Sequence, residues 1–79
     1  MEIKVHNFIT DGDNKQVTLE ICYNDKIFYS TKNIAISDGK TLEQYVSEAV
    51  NASQDEIDEW KSDTESIGKY FDPEKGTFV

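Results

Sequence analysis

At Asp38-Gly39 the spacing of apolar residues changes from every second position to every third or fourth, and this switch limits the fold more than any other feature of the chain. Before it, Ile3, Val5 and Ile9 share one face of an alternating segment, and Val17, Leu19, Ile21 and Tyr23 share one face of the next. The turn-rich run DGDNK separates them. Pairing Ile9 with Val17 puts Val5 opposite Ile21 and Ile3 opposite Tyr23, so one register aligns both apolar faces and predicts an antiparallel hairpin. In that register His6 lies opposite Glu20, and Cys22 opposite Lys4. Asn24-Asp25 supplies a second tight turn, because both residues tolerate positive φ. KIFYSTKNIAIS follows as a third β-rich segment, either one long strand or two broken near Asn33.

Beyond the switch, Thr41 with Gln44 reads as a capping box, followed by Leu42, Tyr45, Val46, Ala49 and Val50 at helical spacing. Ser53 with Glu56 reads as a second box, and Ile57, Trp60, Thr64, Ile67 and Phe71 continue the helical rhythm. Asp72-Pro73 is expected to stop this helix, and Thr77-Phe78-Val79 to return as a short edge strand. The outline is βββαα: an α+β fold in which a three-stranded antiparallel meander is packed by two α-helices. Seventy-nine residues make this a single domain, 1–79.

Charge narrows the function classes. The chain has 16 acidic residues against 8 basic ones, a net charge of −8. Residues 1–37 hold five acids and four lysines, whereas residues 38–79 hold eleven acids and four lysines. Direct binding to nucleic acid or to an anionic membrane is disfavoured, since both require Lys or Arg to neutralise phosphate. A single cysteine, Cys22, excludes an internal disulfide, and no Cys/His cluster offers a zinc site. No stretch approaches the roughly 18 apolar residues of a membrane span, and MEIKVHNFIT lacks the layout of a signal peptide. The expected setting is cytoplasmic.

Candidate chemistry is sparse. Asp11, Asp13 and Glu20 suggest a calcium loop, but the sixth and twelfth positions from Asp11 hold Gln16 and Cys22 instead of Gly and Glu. His6 and Cys22, diagonal neighbours in the predicted register, form the one nucleophile–base option, without any oxyanion-hole or pocket-forming segment. Gly39-Lys40-Thr41 lacks the earlier glycine of a phosphate loop, with Ile34 in its place. No enzymatic activity, cofactor or metal is expected.

Two surfaces remain. The first is QDEIDEWKSDTE, with six carboxylates in twelve positions: Asp55, Glu56, Asp58, Glu59, Asp63 and Glu65. Asp55–Glu59 and Glu59–Asp63 are like-charged i,i+4 pairs, each destabilising a helix by a few tenths of a kcal/mol. Such a row, rising about 6 Å per step, makes an anionic ridge able to occupy a channel shaped for phosphates. Glu43 and Glu48 on the preceding helix support it, while Trp60 is expected between helix and sheet. The second surface is the outer face of the sheet, where Phe8 and Cys22 are expected, joined by either Phe28 or Ile27 with Tyr29.

In size, acidity and lack of catalytic chemistry, the whole chain resembles the small phage-encoded inhibitors that block host nucleases, including anti-CRISPR and anti-restriction proteins acting as DNA mimics. The likeness is one of size and composition, and no residue roles are carried over from it. It implies a non-enzymatic inhibitor of a basic, nucleic-acid-binding protein partner, acting in the host cytoplasm; the charge pattern makes the carboxylate helix the expected surface. The alternative is an assembly module, such as a phage structural component or homodimer, using Phe8, Cys22 and Phe28 on the sheet.

Overall fold

The computed structural model covers residues 1–79. The three long strands are β1 (Glu2–Asp11), β2 (Asn14–Tyr23) and β3 (Lys26–Ala35), paired antiparallel in the order β1-β2-β3. Helices α1 (Leu42–Ala52) and α2 (Gln54–Ser66) follow, then two short strands, β4 (Phe71–Asp72) and β5 (Thr77–Phe78). The architecture is the expected α+β meander followed by two helices, and KIFYSTKNIA forms one unbroken strand.

Turn chemistry sets the register. Asn24 and Asp25 both take positive φ, 50° and 60°, as a two-residue hairpin turn demands when its twist must match the strands. Gly12, at φ 59°, opens the β1–β2 turn, which leaves only Gly12-Asp13 between the paired Asp11 and Asn14. That tight turn forces Phe8 opposite Val17 and Ile9 opposite Gln16, so the expected pairing of Ile9 with Val17 is one residue out. Left uninterrupted, it would swing Val5 and Ile3 away from the core. A bulge at His6 restores them, and beyond it Val5 faces Leu19 and Ile3 faces Ile21.

The reversal moves side chains between faces. Phe8 points inward and packs against the core, while Ile9 lies on the outer face. Phe28, opposite Ile21, also points inward and stacks on Trp60 with ring centroids 5.5 Å apart. The expectation that Phe8 and Phe28 stand on the outer face is therefore wrong. Of that trio only half-buried Cys22 does, beside Ile27 and near Tyr29, which is the other of the two arrangements expected for β3.

The core comprises Val17, Leu19 and Ile21 from β2, Tyr45 and Ala49 from α1, and Ile57 from α2, ringed by Phe8, Phe28, Ile34, Val46, Val50 and Trp60. The helices run back along β2 and β3, leaving the first half of β1 bare on its inner side: Ile3 and Val5 stay 39% and 38% exposed. Thr41 caps α1 as expected, accepting from the Gln44 N–H at 3.2 Å while the Gln44 side chain accepts from the Thr41 N–H at 2.8 Å.

Ser53 does not form the expected second box. Its hydroxyl makes no cap bond; it is buried and bonded to the Ser30 hydroxyl at 2.8 Å. The backbone at Ser53 stays near-helical, and its N–H reaches the carbonyls of Ala49 and Val50. The two helices thus meet end to end at a serine joint, where a side chain drawn sideways accommodates the break.

The second helix also ends earlier than expected. Ile67 is extended and Gly68 takes φ 90°, a left-handed conformation that closes a helix before Pro73 is reached. Ile67 and Phe71 are consequently exposed instead of completing the apolar stripe. The strand at Thr77–Phe78 exists, but it pairs with β4 in its own ribbon and leaves the outer sheet face uncovered. This ribbon projects beyond the body, and the molecule measures 57 × 21 × 16 Å.

Candidate anionic interface

Helix α2 is oriented by the residues it buries. Ile57 and Thr64 point at β2, and Trp60 lies over Phe28 and edge-on to Tyr23. With these positions fixed, about 100° per residue assigns every carboxylate. Asp55 and Glu59 stand on the crest facing solvent. Glu56 and Asp63 lie on the flank above β3, whereas Asp58 and Glu65 lie on the opposite flank. The six acids therefore wrap the whole exposed half of the helix, and the i,i+4 row Asp55–Glu59–Asp63 crosses it obliquely.

Three of the six are engaged inside the molecule, two of them with the sheet. Glu56 binds the Lys32 ammonium on β3 and accepts from the Ser30 hydroxyl at 3.3 Å. The Lys32 bond is the main cause holding the Glu56 carboxyl below its ordinary value, against a smaller opposing effect of burial. Glu65 accepts from the Tyr23 phenol at 2.5 Å, and this bond raises the phenol pKa above its usual value. Asp58 accepts from the Gln54 amide at 2.9 Å. Asp55, Glu59 and Asp63 have no hydrogen-bonded side-chain partner and no ion pair, and none of the three is within salt-bridge distance of a lysine. On α1, Glu48 is paired with Lys40 at 2.8 Å, while Glu43 is exposed in the first turn.

The lysines explain why the acids stay bare. Lys32 and Lys40 make the two salt bridges. Lys15 and Lys40 lie over the Tyr45 ring, Lys61 over Tyr23 and Lys69 over Phe78. Lys15, Lys40 and Lys61 cover aromatic rims of a thin core, and Lys69 covers the ribbon's Phe78, so the carboxylate field on the crest is not compensated locally.

The remaining candidates separate. Cys22 pairs with Glu2, four residues along β1 from His6, which is about 13 Å of strand. They are not the diagonal neighbours expected; the bulge places His6 edge-on to Tyr29 instead, at 5.1 Å between centroids. Lys4, not His6, faces Glu20. Asp11, Asp13 and Glu20 do not converge, and no three His, Cys, Asp or Glu side chains are grouped as metal ligands. The Asp38-Gly39-Lys40 turn borders an open, wholly polar depression with Gln44, Ser47 and Glu48. No helix is long and apolar enough to cross a membrane.

The Glu56–Lys32–Ser30–Ser53 network is what sequence reasoning missed. Its signal was present in the buried alternation of β3, where Ser30 and Lys32 occupy core-facing positions and require polar partners from whatever covers them. No family model, curated protein or solved structure matches the chain.

Proposed function

We propose that this chain is a non-enzymatic binding protein that inhibits a basic, nucleic-acid-handling partner, such as a CRISPR effector or a restriction nuclease, by occupying the channel that holds phosphates. The observation that carries this reading is the uncompensated row Asp55–Glu59–Asp63 on the solvent side of α2, with Asp58 beside it. A helix under selection for stability alone gains from mixed signs at i,i+4; this one accepts repulsion on its exposed side. The row sits on a rigid element anchored by Ile57, Trp60 and Thr64, so its charges are held in place before a partner arrives. Glu56 and Glu65 serve to fasten the helix, leaving the crest acids, with Glu43, to meet the partner.

The test is capture of heparin-retained proteins from a lysate of the source cell, using the native chain and an Asp55→Asn/Asp58→Asn/Glu59→Gln/Asp63→Asn variant side by side. A nuclease or effector released by moderate salt, displaced by duplex DNA and missing from the variant's eluate is the expected result. Equal, salt-insensitive recovery by both proteins rejects the reading.

A second reading rests on the outer face, where Ile27 and Tyr29 stand 55% and 53% exposed beside Cys22. We propose it as a self-association surface if the acid row proves inert: sedimentation would then show a dimer that Ile27→Ser/Tyr29→Ser dissolves.

A further inference from the structure

The two edges of the main sheet are not alike. The β1 edge is broken by the bulge at His6, a device that hinders further strand pairing. The β3 edge is a regular run of ten residues without bulge or proline. A two-residue turn closes on a hydrogen-bonded pair, so Lys26 directs its N–H and C=O at Tyr23, and the pattern alternates from there. One step past the strand, Ile36 follows the same parity, its N–H donating to the Asp13 carbonyl at 2.8 Å. The backbone groups of Ile27, Tyr29, Thr31 and Asn33 therefore point to the open edge, and all four residues are exposed. Lys40 closes the row by donating to the Ala35 carbonyl at 3.0 Å.

Each side of this edge has its own chemistry. On the outer side stand Ile27 and Tyr29. On the inner side the β3 flank of α2 overhangs, with Glu56 held over Ser30 and Lys32 and Asp63 two turns further on. A second copy of the chain is a poor occupant, because a two-fold pairing of β3 with β3 brings both acidic flanks together at −8 per copy.

We infer that the β3 edge docks an extended segment of the partner by strand addition, one in which basic residues alternate with apolar ones. Backbone bonds to Ile27, Tyr29, Thr31 and Asn33 hold the segment. Its basic side chains rise beside Asp63, the acid on that flank with no partner of its own, and its apolar ones lie against Ile27 and Tyr29. The inference rests on the proposed function in taking the partner to be basic, and it adds the element by which that partner is gripped.

The probe is a capped nine-residue peptide alternating lysine and valine, with a control of the same composition in which lysines and valines form separate blocks. In amide-exchange NMR, the alternating peptide should slow exchange at Ile27, Tyr29, Thr31 and Asn33 by about tenfold or more. Phe28 and Ser30, already bonded to β2, serve as unchanged references. Thr31→Pro, which removes an edge donor but no bond to β2, should weaken the peptide by about tenfold, whereas the block control should give no edge protection. Binding without edge protection, equal edge protection by the block peptide, or no binding at all overturns strand addition. The first two of these outcomes leave the acidic-row reading standing, and the lysate capture decides that reading independently. The wild-type exchange data suffice if Thr31→Pro fails to fold.

Discussion

Glu56 shows how one side chain serves a role different from the one its sequence position suggests. Three residues after Ser53 it has the spacing of a capping box, yet it leans across to Lys32 and Ser30 and ties α2 to β3. Because its carboxyl is held below the ordinary value, its contribution to stability is complete above the unfolded-state pKa and is lost as pH falls through the lower folded-state value. Acid unfolding of Glu56→Gln followed by circular dichroism should accordingly show a shallower loss of stability below the normal carboxylate range than the native chain. Tyr23 has the opposite sign: with its phenol raised by Glu65, its contribution is present below the ordinary phenol pKa and lost as pH climbs through the raised one. Tyr23→Phe should flatten the alkaline limb of the same profile. Ser30 and Ser53 form the most buried polar contact of the molecule. Ser53→Ala should cost about 1–3 kcal/mol in urea unfolding, because it strips a buried hydroxyl of a partner. The double variant Ser30→Ala/Ser53→Ala should cost less than the two single changes combined.

At the scale of elements, β1 answers to two requirements. Its turn fixes one register and the apolar residues of its first half need another, and the extra residue His6 reconciles them. Alternation alone makes the strands legible and the turn residues place them, but it does not reveal a bulge, because a bulge leaves the apolar count unchanged. Phe8 faces inward for this reason, whereas the face of Phe28 is set by the Asn24-Asp25 turn, which pairs Phe28 with Ile21. Substituting either with serine should lower stability by about 1–3 kcal/mol through lost packing against the core and Trp60, with urea unfolding as the measure. The ribbon of β4 and β5 is held by the Phe71–Phe78 contact, at 6.1 Å between centroids, and by Lys69 over Phe78, and it joins no strand of the sheet. Two-stranded ribbons are marginal by themselves. A chain ending at Ser66 should therefore unfold within about 0.5 kcal/mol of the full chain, and amides beyond Gly68 should exchange first.

For the whole molecule, the radius of gyration of 16.6 Å exceeds the roughly 12 Å of a compact chain of this length. The excess reflects helices laid end to end and a ribbon carried past the sheet, and X-ray scattering should return the elongated value. The 13 residues of α2 carry the acidic surface along about 20 Å of the 57 Å length. Capture of a basic partner through that surface should weaken steeply between low and physiological salt, since exposed charges are screened beyond about 8–10 Å.

The βββαα order, the two-residue turn at Asn24-Asp25, the cap at Thr41 and the acidity of α2 are all legible in the residues alone, because each depends on local periodicity or on one residue's backbone preference. Which phenylalanines face inward, where α2 stops and which acids remain free become visible once the chain is folded. Those outcomes depend on strand registers fixed by two turns and a bulge, a glycine that competes with an apolar stripe, and lysines brought from β3 and from the turn before α1. All three arise from contacts between segments far apart in the chain or from competition between local preferences of similar size, and neither is written in any one stretch.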